Sequence, residues 1–210
     1  MTGRFITLEG GEGAGKSTQC ARLVQHREST GIAAEKTREP GGSPGAEDVR
    51  ALIVEGDPDR WDATTEALLI YAARRDHLRR RIEPALASGR WVVCDRFSDS
   101  TMAYQGIAGG LGRDWIARLD ALAIDGRKPE LTLVLDLPAA DGLARAARRG
   151  GADRFERHGT AFHERLRTAF LEIAAAAPER CRIIDAGRDP DAVAADIWET
   201  VQMFFGIAGG

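Results

Sequence analysis

The chain has 210 residues, 43% of them hydrophobic and 29% charged, which is the composition of a soluble globular protein long enough to bury one substantial core. A net charge of −3 gives no general attraction to nucleic acid, and no leader pattern or long apolar segment is present, so a cytoplasmic protein with neither nucleic acid nor membrane as partner is expected. Cys20, Cys94 and Cys181 lie apart among apolar neighbours and read as core thiols; neither they nor the four histidines show a zinc spacing.

Phe5, Ile6 and Leu8 predict a short buried strand ended by Glu9. Gly10-Gly11-Glu12-Gly13-Ala14-Gly15-Lys16-Ser17 follows and runs through Thr18 into a helix, so a phosphate-binding loop stands between a strand and a helix. Glycines let successive N–H groups approach an anion without Cβ interference. The helix start near Lys16 adds its positive end. Lys16 can bridge the outer phosphates, and Ser17 can offer its hydroxyl to Mg²⁺.

A second strand is predicted over Ala33–Thr37, then a turn from Arg38 to Pro44 and a short helix over Glu47–Val54. Ala63–Leu86 predicts a long helix with Leu68, Tyr71, Leu78, Ile82 and Leu86 on one face, kinked or restarted at Pro84. Trp91–Cys94 is an apolar run ending in Asp95, hence a buried strand. Helical segments follow at Ser100–Gln105 and Trp115–Ile124. Leu131–Leu135 is the clearest strand and ends in Asp136. Helices over Ala139–Arg149 and Ala161–Ala177, a strand over Arg182–Asp185 and a helix over Pro190–Phe205 complete the chain, with 206–210 as a frayed tail.

Alternating strands and helices imply a mostly parallel sheet covered on both faces, whose ligands gather at the carboxyl ends of its strands. Glu9-Gly10, Arg38 to Gly42, Asp95-Arg96, Asp136 and Asp185 all fall at that edge. With no asparagine in the chain, a guanine-reading Asn-Lys-x-Asp is impossible, and none of the three lysines offers a threonine-based substitute. A motor ATPase needs coupling domains that 210 residues do not supply. A small-molecule kinase remains.

Thr37-Arg38-Glu39-Pro40-Gly41-Gly42, Tyr71-Ala72-Ala73-Arg74, Asp95-Arg96-Phe97, Ser100-Thr101-Met102-Ala103-Tyr104-Gln105-Gly106 and Asp153-Arg154-Phe155-Glu156 follow the phosphate loop in that order. Over essentially its whole length the chain resembles the thymidylate kinase family. That resemblance implies a P-loop NTPase of the nucleoside-monophosphate-kinase type, with a five-stranded parallel sheet, helices on both faces and a helical lid at about 139–157, all in one domain. It implies transfer of the γ-phosphoryl group of Mg-ATP to dTMP, usually by a homodimer, with parts of the Ala63–Leu86 helix as the dimer surface. A kinase for another nucleoside monophosphate and a regulatory nucleotide-binding protein are the alternatives.

The acceptor phosphate carries nearly two charges at neutral pH, its second pKa being about 6, so it can attack without a general base. The transfer needs two anions neutralised and aligned. Asp95 at a strand end is placed like a Walker-B acid near Mg²⁺, and Arg96 can fork onto the monophosphate. Arg145, Arg148 and Arg149 share a helical face, with Arg154 beyond Gly150-Gly151, and could act as fingers on the transferring group. The resemblance favours Arg149 and Arg154 for this. It also places Arg38, Pro40 and Arg74 in the acceptor site, Arg74 toward the base, with Ser100, Thr101 and Gln105 in the same motif. It sets Glu12 on the 3′-hydroxyl and Tyr104 against the ribose 2′ position. Ile70 stands where many relatives stack a phenylalanine on thymine, so either Ile70 packs on the base or the adjacent Tyr71 turns in. Arg188 is expected beside the adenine of ATP.

Overall fold

The computed structural model describes residues 3–57, 59–150 and 154–207. Gly151, Asp153 and residues 208–210 of the expected lid and tail lie outside them, as does the side chain of Arg149. In chain order the elements are β1 (Phe5–Glu9), α1 (Lys16–Ser29), β2 (Ala34–Arg38), α2 (Pro44–Val54), α3 (Ala63–His77), α4 (Glu83–Ala87), β3 (Trp91–Asp95) and α5 (Ser98–Thr101). They continue with α6 (Arg113–Ala123), β4 (Leu131–Asp136), α7 (Ala139–Arg149), α8 (Thr160–Ala176), β5 (Cys181–Asp185) and α9 (Pro190–Phe205).

Every pairing in the sheet is parallel and the order is β2-β3-β1-β4-β5. The alternation of side chains along a strand explains why both faces are covered. Ile6 and Leu8 of β1, with Val93 and Leu133, pack under α1 and α9 against Cys20, Leu23, Val193 and Ile197. Phe5, Val92 and Cys94 point the other way, against Ala67, Tyr71, Leu78 and Ile82. Val134 of β4 packs with Leu166 and Phe170 of α8 on that second face. The three cysteines are buried and free, as core thiols should be. The register sets Leu8 and Arg38 opposite Asp95, Glu9 opposite Val134, and Asp136 opposite Asp185, which brings the polar strand ends to one edge.

Several expectations change. α2 begins at Pro44, three residues early, because proline at the first helical turn gives up no needed hydrogen bond. The 63–86 helix is broken by a π-helical turn over Leu78–Ile82, in which Glu83 N–H donates to Leu78 O. Pro84 has no N–H and crowds the preceding turn, and the wider turn lies directly ahead of it. Leu68 is half exposed rather than on the buried face. A second π-helical turn, Met102–Ala108, extends α5, so this helix starts at Ser98 and carries Tyr104 and Gln105 in its widened part.

Candidate active site

The loop from Gly10 to Gly15 leaves β1 at the centre of the sheet and delivers its last residues to the start of α1. Gly10, Gly13 and Gly15 all hold positive φ (133°, 69° and 89°), conformations that a side chain would strain. Lys16 is buried and folds over the loop, donating to Gly10 O at 3.1 Å and Gly11 O at 2.6 Å. Burial, then the nearby Arg96, pulls its ammonium down to about 8. An anionic phosphate chain would reverse that pull. Ser17 Oγ donates to the Asp95 carboxylate in a short hydrogen bond.

Two clefts meet at this loop. One, of about 260 Å³, is lined by Glu12, Gly13, Gly15, Lys16, Ser17 and Thr18 on one side, and by Arg38, Pro40, Ile70, Arg74, Arg96, Ser100, Thr101, Tyr104 and Gln105 on the other. The second lies against Gly13, Ala14, Gly15 and Thr18 from behind, with Arg145, Ala186 and Arg188 as its far wall. The phosphate loop is therefore the shared wall between two ligand-sized spaces.

Arg96 is the hub of the first cleft. Its φ of 71° is unusual for a residue with a Cβ and costs roughly 1–3 kcal/mol, held by surrounding contacts. Nη1 donates to Gly10 O (3.0 Å) and Ser100 Oγ (3.1 Å), and Nη2 to Glu12 Oε1 (2.7 Å) and Tyr104 OH (3.0 Å). The Tyr104 hydroxyl also donates to Glu12 Oε1 at 2.5 Å. Burial alone would raise Glu12, but Arg96, Lys16 and the Tyr104 hydrogen bond hold its carboxyl down to about 2. Behind this group Glu9 accepts from Phe97 N–H at 2.7 Å and from Ser100 Oγ at 2.5 Å. Burial, with Asp99 nearby, pushes Glu9 up to about 8.

Arg74 is fully enclosed. It donates from Nε to Glu39 Oε2 at 2.6 Å and from Nη2 to Phe97 O at 3.0 Å and Thr101 Oγ1 at 2.9 Å, with its guanidinium over the rings of Tyr71 and Phe97. Among the described residues its Nη1 is buried without a hydrogen-bond partner, as is Oε1 of Gln105. Arg38 pairs with Glu47 at 2.9 Å beside the cleft.

Some expected positions are corrected and others are kept. Tyr71 does not turn in: its ring is in the core and its hydroxyl donates to Asp120 at 3.0 Å, while Ile70 lines the cleft. Arg154 does not reach the phosphate loop; it is buried in an ion pair with Glu66, because the segment that carries it lies against α2 and α3. Arg145 is no finger either, donating to Ala186 O at 3.0 Å and so bracing the loop after β5. Ser100 and Thr101 line the cleft with hydroxyls committed to Glu9, Arg96 and Arg74. Arg188 reaches the second cleft while paired with Asp196.

Two further residues shape the site without standing in any of the motifs: Arg50 lines the first cleft and donates to Pro40 O at 2.7 Å, and Glu66 has partners far along the chain. One signal was available for Glu66: with Ile70 and Arg74 it falls at i, i+4 and i+8, on one helical face.

The profile of the thymidylate kinase family matches residues 8–197. The chain is 56% identical over 205 residues to a thymidylate kinase of Caulobacter vibrioides, covering 98% of this chain and 99% of that protein. It is 54% identical over 201 residues to one of Ruegeria pomeroyi, covering 95% of each. The solved thymidylate kinase of Ehrlichia chaffeensis superposes with a TM-score of 0.78 at 32% identity, over 96% of this chain and 100% of that one. The chain belongs to the thymidylate kinase family.

Proposed function

We propose that the chain transfers the γ-phosphoryl group of Mg-ATP to dTMP, giving dTDP for the supply of dTTP to DNA synthesis. The observation that carries the choice of acceptor is the pair of unsatisfied buried atoms beside the first cleft, a donor on Arg74 and an acceptor on Gln105. Buried polar atoms without partners are rare and costly unless something completes them. A carbonyl next to an imide N–H, as on thymine, would offer a partner to each. Cytosine presents the opposite order and would leave both unpaired.

In this reading the acceptor phosphate meets Arg96 and Arg38, and the donor phosphates meet Lys16 and the loop N–H groups. The phosphate dianion needs no base, so the protein's contribution is alignment and cancellation of charge. Glu12 would receive the 3′-hydroxyl and Tyr104 would crowd the 2′ position. Arg149 and Arg154 would act from the lid at about 139–157, Arg154 once its pair with Glu66 is released. Arg188 would border adenine. Ser17 and Asp95 are two adjacent hard oxygen donors at the loop, which suits Mg²⁺, an ion that takes few protein ligands alongside phosphates. When bound, that ion neutralises phosphate charge. The half-exposed Leu68 on α3 supports a homodimer through that helix, and ATP as donor supports a cytoplasmic place of action.

A coupled assay of ADP release across dTMP, dUMP, dCMP, dGMP and dAMP tests the reading. dTMP should give the highest kcat/KM, with dCMP lower by roughly a hundredfold or more. ATP binding without monophosphate-dependent turnover would overturn it.

A further inference from the structure

Glu66 is 8% exposed, and its single carboxylate serves two different parts of the molecule. Oε2 accepts from Arg154 Nη2, and Oε1 accepts from Gln105 Nε2, both in short hydrogen bonds. Around the first contact the chain is fastened to the end of α2: Arg154 Nε donates to Ile53 O at 2.9 Å, its backbone N–H to Val54 O at 3.4 Å, and Arg157 Nη1 to Gly56 O at 3.4 Å. Phe155 and Glu156, between those fastenings, line the acceptor cleft, with the Phe155 ring edge-on to Tyr104 at 5.6 Å. The second contact has a different consequence. An ionised carboxylate only accepts, so it fixes the Gln105 amide with its NH₂ toward Glu66 and leaves the carbonyl oxygen unpaired.

We propose that Glu66 is a positioning residue that both latches the 154–157 segment over the acceptor cleft and orients Gln105 to read the base. The orienting half rests on the reading of the cleft as a dTMP site; the latching half does not. One side chain then links recognition of the acceptor to the release of Arg154. A base that engages Gln105 acts on the same carboxylate that holds the arginine.

Glu66→Gln keeps the shape and removes the charge. Loss of a charge-assisted buried hydrogen bond is expected to raise KM for dTMP about tenfold, with KM for ATP changed less than about twofold. Because a glutamine at 66 can present either end of its amide, Gln105 is free to turn over, and the preference for dTMP over dCMP should fall by about tenfold. Limited trypsin digestion of the ligand-free protein reads the latch without any substrate. Cleavage after Arg157 should quicken roughly fivefold or more in Glu66→Gln. Arg154→Met removes the other end of the pair; it should quicken the same cleavage to a similar extent, and the double variant should go no further.

Wild-type cleavage rates and wild-type base preference in Glu66→Gln would overturn the proposal, and so would additive cleavage effects in the double variant. Should the wild-type enzyme itself fail to use dTMP, the acceptor assignment and the orienting half fall together. The digestion still decides the latch. If Glu66→Gln lowers stability too far to assay, Glu66→Asp keeps the charge on a shorter arm, and cleavage as slow as wild type with wild-type base preference would again count against a placement set by distance.

Discussion

A carboxylate inside a loop built for phosphates is repelled by its own ligand unless its charge is already committed, and Glu12 is committed. Arg96 and Tyr104 both donate to the same oxygen, at 2.7 and 2.5 Å, and with Lys16 they keep the group ionised down to about pH 2. Glu12 in turn holds the guanidinium of Arg96 in a backbone conformation it would not otherwise favour. Replacing it with glutamine removes the charge that fixes Arg96 and leaves the loop's backbone N–H groups untouched. Glu12→Gln is therefore expected to lower kcat/KM for dTMP about a hundredfold while changing the dissociation constant for ATP less than about threefold. Steady-state kinetics and a nucleotide titration check this. Equal losses on both substrates would mean that Glu12 belongs to the loop as a whole rather than to the acceptor side.

Between elements, the phosphate loop is set by a contact of two glycines. A Cβ on Gly13 would lie 2.0 Å from Gly142 O in α7, and one on Gly142 would lie 2.3 Å from Glu12 O. Backbone meets backbone, so neither neighbour can swing aside. Gly142 has ordinary helical geometry, and alanine would suit a helix there if the space existed. Gly142→Ala should instead push α7 off the loop, costing about 1–3 kcal/mol by chemical denaturation and lowering turnover, whereas a gain in stability would show that the loop yields freely. This contact was not legible in the sequence. The strands and the loop were, because their signals are local: an apolar run in every strand but β2, glycines at fixed spacing, a polar residue at each strand's end. What failed depended on long-range partners or on helix phase. A regular 3.6-residue period puts Leu68 on the buried face with Tyr71, Leu78 and Ile82; those three are buried and Leu68 is half exposed. The motif around Arg154 gives no sign of its ion pair with Glu66, a partner 88 positions away. The four arginines beside the first cleft divided the same way: Arg38, Arg74 and Arg96 stand in recognisable motifs, and Arg50 stands in none.

Across the whole molecule, the buried charges beneath the site couple its chemistry to the stability of the fold. Glu9 sits at the end of the central strand, fully enclosed, and Asp99 lies close enough to raise it further, although Asp99 is itself paired with Arg180 at 2.7 and 2.8 Å. In the unfolded chain Glu9 titrates near 4.5; in the fold it titrates at about 8. Between those values the folded protein binds more protons than the unfolded chain, so the group's contribution is complete below about 4.5 and is lost as pH rises through about 8. Glu12 runs the other way. Its folded value near 2 gives a contribution that is present above about 4.5 and lost as pH falls toward 2. The two together predict a stability maximum in the mildly acidic range, with separate causes for the decline on either side. Glu9→Gln keeps a partner for Phe97 N–H or Ser100 and cannot ionise. Its melting temperature should change much less than wild type's between pH 5 and 8, while the acid limb below pH 4.5 stays. Calorimetry on both proteins across that range decides it: parallel curves would place the neutral-side slope elsewhere, and a slope that disappears in the variant ties it to the one carboxyl group that also anchors the turn carrying Arg96.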